Sequence, residues 1–307
     1  MPSIVPGLLK SAEDRCHPPD YLLARVRGRR ARIAGDWSEL LRTSPAGIGG
    51  AQEAFRGELA WLYGQMNRSL RSLFGSVFEF FELRTWLLAL RYLSAGEEKA
   101  LPGILAPSLL APPIKALLLQ SRDFAAVLAG SQKILAEADP DFSGLGALYR
   151  RQGPGGLEAG VIDLALRRAL RLPLHPAVRT FFRELIDTRN LLGLYKHLQW
   201  QLSFPPPHLD GGRVTKKRLS ALWRGRSIPP LMACARTLAG DPAAAGSLEK
   251  ILLDGVSRSL RRGARDPLGP GVILDHLWFC HTRARNLELM ARLGAGDEGR
   301  LEEELLS

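Results

Sequence analysis

Apolar positions along this chain recur at three- and four-residue intervals rather than alternating. From Gln52 to Leu93 the pattern is nearly continuous, with Phe55, Leu59, Leu62, Met66, Leu70, Leu73 and Val77 on one stripe, the period of an amphipathic helix. Upstream, Pro18 and Pro19 followed by Asp20 predict a stop and an N-cap, opening a helix over YLLARVRGRRARIA. Tyr21, Ala24, Val26 and Ile33 give that helix a partial apolar stripe, and Arg25, Arg27, Arg29, Arg30 and Arg32 surround it. No run of four or more residues alternates apolar and polar with β-branched enrichment. Val and Ile are scarce beside Leu and Ala, as helices prefer. The pattern predicts an all-α chain.

Proline and glycine punctuate it. The stretches SAGEEKALPGILAPSLLAPP (94–113) and SFPPPHLDGG (203–212) each follow a long predicted helix and read as hinges between lobes. A third, RRGARDPLGPG (261–271), is expected to separate two helices of the last segment, and the glycines of GLGALYRRQGPGGLEAG (144–160) read as a loop. The hinges divide the chain into three helical lobes, approximately 1–100, 101–205 and 206–307, with exchange of helices between lobes allowed.

An internal repeat agrees with that division. FELRTWLLALR (81–91), IDTRNLLGLYK (186–196) and TRARNLELMAR (282–292) each carry an Arg, then Thr or Asn, then a large apolar residue, and a cation six positions after the Thr or Asn. The equivalent residues are Arg84, Arg189 and Arg285; Thr85, Asn190 and Asn286; Trp86, Leu191 and Leu287; Arg91, Lys196 and Arg292. Two helical turns place each cation pair on one face, roughly 10 Å apart. Three lobes in a closed arrangement would turn these faces toward a common centre. The simpler reading is a solvated helix face. For Asn190 and Asn286 the simpler reading is a side chain that ties neighbouring backbone.

Charge sharpens the question of partners. The 307 residues carry 42 Lys and Arg against 31 Asp and Glu, a net charge of +11, and 34 of the cations are Arg. An anionic partner follows: nucleic acid, an anionic lipid surface or an acidic protein. The longest uncharged stretch is broken by Pro102, Pro107, Pro112 and Pro113 and falls short of the roughly 18–20 apolar residues a bilayer span needs. The first residues show no basic segment followed by an apolar run and a small-residue cleavage site, so a cytoplasmic location is expected. Cys16, Cys234 and Cys280 are widely separated and form no CxxC pair, which argues against a disulfide framework or a zinc site.

Catalytic patterns are missing. There is no GxxxxGK[ST] phosphate loop, no HExxH and no GxSxG elbow. His276 and His281 are spaced around a helix rather than along one face. The acidic runs Glu97–Glu98 and Glu302–Glu303–Glu304 read as solvated caps or tails. Neither a cofactor nor a metal is indicated. Basic stretches RVRGRRAR (25–32), RVTKKR (213–218), WRGR (223–226) and RSLRRGAR (258–265) offer a phosphate-binding face, but no aromatic stacking motif or compact helix-turn-helix accompanies them.

Several segments, in order, resemble one family. YLLARVRGRRARI is similar to the "Y-x-x-A-R-V-R" start of the C subunit of archaeal/vacuolar-type rotary ATPases, called the d subunit in vacuolar enzymes. DTRNLLGLYK (187–196) resembles its "D/E-x-x-N-L-x-x-x-x-K/R" helices, GGRVTKKRLSALWRG (211–225) the glycine-led start of a lobe, and DPLGPGVILDHLW (266–278) the "DPLG-x-G" loop before the last long helix. The resemblance spans residues 20 to 300. This chain departs from the pattern at Thr85, where the family helix usually shows Asn, and at Arg283, where the other two repeats carry Glu82 and Asp187. Residues 140–165 resemble nothing specific.

The resemblance implies an all-α funnel of three similar lobes around a pseudo-threefold axis, without an active site. Such a protein sits as a single copy, a monomer in isolation, on the cytoplasmic face of the membrane. There it seats the rotating central shaft (D- and F-type subunits) on the proteolipid ring during ATP-linked proton or sodium transport. On that reading Arg84, Arg91, Arg189, Lys196, Arg285 and Arg292 are expected to line the contact with shaft or ring, with Arg25, Arg27, Arg29 and Arg30 as a second group. An Arg-rich helical nucleic-acid-binding protein and a helical hydrolase are the alternatives.

Overall fold

In the computed structural model the described residues are 3–14, 17–33, 48–121, 123–293 and 304–306, excepting the side chains of 48, 49, 292 and 293. Among them the chain is all-α, with twelve α-helices, two short 3-10 turns and one isolated bridge between Leu9 and Leu110. No helix among the described residues is long and apolar enough to cross a membrane. The helices are α1 (Pro19–Ile33), α2 (Ile48–Gln65), α3 (Arg68–Ser94), α4 (Leu101–Leu105), α5 (Pro112–Gln120) and α6 (Phe124–Ala138). After them come α7 (Leu145–Arg171), α8 (Pro176–Gln199), α9 (Lys216–Arg224), α10 (Ile228–Ala239), α11 (Leu248–Gly263) and α12 (Gly271–Leu293). They fall into two compact units, residues 1–19 with 56–175 and residues 20–55 with 176–307.

The first unit is built on α3, which packs against α4, α5, α6 and α7. Phe74, Val77, Phe78 and Trp86 of α3 are fully buried, and the Trp86 indole N–H reaches Ser131 Oγ at 3.4 Å. Residues 4–9 run along this core with Ile4, Val5 and Leu8 buried. Lys10 N donates to Leu109 O and Ala111 N to Leu8 O, each at 2.8 Å.

The apolar pattern over 52–93 is divided between α2 and α3. Asn67 supplies the reason: its side chain caps α3 by accepting from Leu70 N at 2.9 Å and donates to His17 O at 3.0 Å. Leu59 and Leu62 before the break and Leu70 and Val77 after it are all buried in the first unit, while Phe55 belongs to the second. The glycine-rich 144–160 stretch, expected to be a loop, is the first half of α7. Its single departure from helix is Gly153 (φ 68°, ψ −167°), followed by Pro154. A glycine takes that dihedral at little cost, so the helix kinks and resumes.

In the second unit, α8 packs against α9, α10 and α11, and α11 against α10 and α12. Leu191, Leu194, Leu219, Leu222, Leu231, Ala235 and Ile251 form its core. The α10–α11 crossing is close enough that a methyl group at Gly255 would sit 2.9 Å from Ala239 Cα. Helix α1 begins at Pro19, with Asp20 in its first turn rather than at the cap. Its buried face is Leu22, Leu23 and Val26, while Tyr21 is 50% exposed. The stripe closes with an arginine: Arg30, one turn after Val26, pairs with Asp275 at 3.3 Å and lies over the Phe279 ring. Long cations bury their stems this way, and apolar periodicity alone does not register them.

Candidate functional site

The three repeat helices are α3, α8 and α12, and several of their outward cations are held individually. Arg91 is exposed and paired with Glu158 of α7. Arg285 pairs with Glu249 at 3.3 Å and donates to Glu304 O at 3.3 Å. Arg84 and Lys196 are exposed and Arg189 is half-buried. Arg292 lies in the last turn of α12, with its side chain outside the described residues. On α1, Arg25 and Arg27 are exposed and Arg29 and Arg30 half-buried. Arg25 lies near the Tyr21 ring and Arg30 is held by Asp275. Arg91, Arg285 and Arg30 are thus each matched by a carboxylate of their own unit.

The opposite, buried faces of the same helices carry a more uniform arrangement. On α8, Asn190 accepts from Leu209 N and donates to Leu209 O, both at 2.8 Å. On α12, Asn286 accepts from Leu306 N at 3.0 Å and donates to Leu306 O at 2.8 Å. Each asparagine binds one residue in non-helical chain, 19 positions later in the first case and 20 in the second. An amide side chain offers one acceptor and two donors, so it satisfies both backbone groups of an extended residue at once.

One turn earlier in the repeat stands an acid with a parallel task. Glu82 of α3 accepts from Leu109 N at 2.9 Å, 27 positions on. Asp187 of α8 accepts from Arg213 N and Val214 N, both at 2.9 Å, 26 and 27 positions on. One turn earlier still, Glu79 accepts from Ile4 N at 2.6 Å and Val5 N at 3.2 Å, while Glu184 faces Arg213 at 3.9 Å. Glu79 with Glu184, and Glu82 with Asp187, keep the 105-residue offset of Arg84 with Arg189. In the third repeat the corresponding positions are Cys280 and Arg283, and Arg283 donates instead to Ile33 O at 3.3 Å. The sequence carries this signal as acids at constant offset, on the helix face opposite the one that cation spacing picks out.

Burial dominates the electrostatics of these acids. It pushes both Glu79 and Glu82 up to about 7 against the opposing pull of their backbone donors. Burial likewise raises Glu184 and Asp187, partly offset at Glu184 by Ser259 and Arg213 and at Asp187 by the Val214 and Arg213 amides.

Glu184 and Asp187 also line a shallow open cleft together with Thr188, Arg213, Ser259 and Arg262. Apart from Glu184 Oε2, their carboxylate oxygens are occupied by backbone amides or face Arg213, so the arrangement holds chain in place. Among the described residues no group of three His, Cys, Asp or Glu side chains is placed to hold a metal ion. Cys234 and Cys280 form no disulfide with a described residue, and Cys16 lies outside the described residues.

The acidic tail expected to be solvated is partly docked. Glu304 accepts from Ser247 Oγ at 2.8 Å, Lys250 Nζ donates to Leu305 O, and Leu306 is buried. Glu302 and Glu303 lie outside the described residues. No protein-family model and no curated protein matches this chain.

Proposed function

We propose that this chain is the non-catalytic central-stalk component of a V/A-type rotary ATPase, the counterpart of the archaeal-type C subunit and the vacuolar d subunit. It joins a shaft of D- and F-type subunits to the membrane proteolipid ring from the cytoplasmic side. The observation that carries the proposal is the repeated clamp: Asn190 on Leu209 and Asn286 on Leu306, with Glu82 and Asp187 fastening the chain 26–27 residues on. A part that passes torque must resist shear between its helices. Buried hydrogen-bonded polar groups fix one geometry more strictly than apolar packing alone, because a slipped register breaks those bonds.

On this reading the repeats mark three lobes, near 1–100, 101–205 and 206–307, around a pseudo-threefold axis. The outward cations Arg84, Arg91, Arg189, Lys196, Arg285 and Arg292 then line the contact with shaft or ring. Arg25, Arg27, Arg29 and Arg30 contribute second. Each exposed pair is worth only about 0–1 kcal/mol, so grip comes from their number.

The test is an affinity pull-down of the tagged chain from detergent-solubilised native membranes, with and without nuclease. Recovery of shaft and proteolipid subunits, insensitive to nuclease, is expected. Recovery of nucleic acid that disappears with nuclease would instead establish the Arg-rich nucleic-acid-binding alternative. If an Arg84/Arg189/Arg285→Glu variant folds and still binds shaft and ring normally, the cation lining is wrong while the central-stalk assignment stands.

A further inference from the structure

The end of α8 and the segment after it form an unusual surface. Trp200 is 64% exposed and Phe204 59% exposed, two large aromatics facing water within five residues. The two positive-φ residues other than glycine among the described residues, Gln201 (φ 52°) and Arg226 (φ 48°), both belong to this region. Backbone held in the left-handed region persists only where its surroundings enforce it. Here Arg226 enforces it: its guanidinium lies 3.6 Å over the Trp223 ring and donates to Leu202 O at 2.7 Å and Ser203 O at 3.4 Å. His197 Nδ1 stands 3.2 Å from Phe204 O, and its ring meets both Phe204 and Trp223.

Side chains thus hold the backbone of this segment at its start. The carbonyls of residues 202 to 204 all have side-chain partners, and Pro205, Pro206 and Pro207 have no N–H. Charge in the chain flanking these aromatics is one-sided. Between positions 196 and 226 stand Lys196, Arg213, Lys216, Lys217, Arg218, Arg224 and Arg226 against the single acid Asp210. Lys196, Lys216, Lys217, Arg218, Arg224 and Arg226 are exposed, and none of them is salt-bridged to a described carboxylate.

We propose that this segment is an interfacial anchor for an anionic lipid surface, with Trp200 and Phe204 seated at headgroup depth and the exposed cations of 196–226 on lipid phosphates and carboxylates. Aromatic side chains beside Lys and Arg partition to that interface. Exposed Trp and Phe among exposed Lys and Arg match a surface that is apolar at one depth and anionic at another, which a lipid interface offers and an acidic protein does not. The anchor goes beyond the rotor reading and stands independently of it, since lipid alone is the ligand.

The experiment is co-sedimentation of the full chain with vesicles of phosphatidylcholine and with vesicles of equimolar phosphatidylcholine and phosphatidylserine. Binding to the anionic vesicles and little to the neutral ones is expected. Trp200→Ala/Phe204→Ala should weaken it by about tenfold or more, and Lys216→Gln/Lys217→Gln by about thirtyfold. A brominated phospholipid should quench a part of the wild-type fluorescence that Trp200→Phe lacks. If the double aromatic variant melts early, that quenching difference decides. Absence of binding to anionic vesicles, binding indifferent to both aromatics, or capture of an acidic protein by a chain that ignores vesicles would each overturn the anchor. None of these results bears on whether shaft and ring subunits are recovered.

Discussion

Asn190 and Asn286, 96 positions apart, make the same two hydrogen bonds to a leucine in non-helical chain about twenty residues downstream. Both asparagines are buried, at 2% exposure, so each bond is made without competition from water. Asn190→Ala would strand the N–H and C=O of Leu209 inside the unit, at a cost of about 1–3 kcal/mol for each group left unsatisfied. Urea unfolding should show that loss. Limited proteolysis should cut residues 203–212 faster in the variant. An Asn190→Ala protein as stable as wild type would mean that the clamp contributes nothing.

Glu82 gives a pH dependence with a definite sign. Its ordinary value of 4.5 is raised to about 7 by burial. Between those values the folded state holds a proton that the unfolded state has lost, so stability falls as pH rises from about 4.5 through about 7. Glu82→Gln keeps an acceptor for Leu109 N and cannot ionise. It should be more stable than wild type at pH 8, by at most about 3 kcal/mol, and little different near pH 4.5. Chemical unfolding of both proteins at several pH values checks this. A variant less stable than wild type at pH 8 would show that the ionised carboxylate is favourable there.

Two glycines on helices should respond in opposite directions. A methyl group at Gly57 of α2 meets no heavy atom within 4 Å, so Gly57→Ala should gain up to about 1 kcal/mol of helix propensity. At Gly255 the same propensity gain is set against a Cβ that would lie 2.9 Å from Ala239 Cα and 3.0 Å from its Cβ. Forcing α10 and α11 apart costs about 1–3 kcal/mol, so Gly255→Ala should be neutral to destabilising. Thermal melts of the two variants should straddle the wild type. A clear gain at both positions would mean that the α10–α11 crossing yields without cost.

How far the sequence carries depends on which physics wrote each feature. Helical class follows from apolar period, and the chain is all-α among the described residues. Proline and glycine at 94–113 and 203–212 mark real helix ends, since α3 stops at Ser94 and α8 at Gln199. Residues 144–160 mislead because Gly153 and Pro154 kink α7 without ending it. The α1 stripe is drawn one position off because its closing member is Arg30, stacked on Phe279. The repeat is legible, and its buried side is not. Glu82, Asp187, Asn190 and Asn286 look like ordinary polar helix residues until the partner backbone, 19–27 positions later, is brought beside them. Sequence spacing gives the offset between repeats. It does not say which face of a helix turns inward when both faces carry polar residues.

The Asn286 clamp also makes a quantitative statement about coupling. Leu306 is 4% exposed, and Asn286 holds its backbone at both ends. Leu306→Ala alone removes a buried side chain, which costs about 2–5 kcal/mol when the surroundings do not collapse. Asn286→Ala alone removes the hydrogen bonds that keep the side chain seated. Either change frees the same segment, so the second adds less than it costs alone. The double variant should therefore fall short of the sum of the singles by about 0.5–3 kcal/mol. Lys250, which donates to Leu305 O and pairs with Asp254 at 3.0 Å, provides the control. In an Asn286→Ala background, Lys250→Met should lose only its interaction with Asp254. Strict additivity of Asn286→Ala and Leu306→Ala would show that residues 304–306 are not held to α12 in solution, and the Asn286 clamp would then have no energetic content.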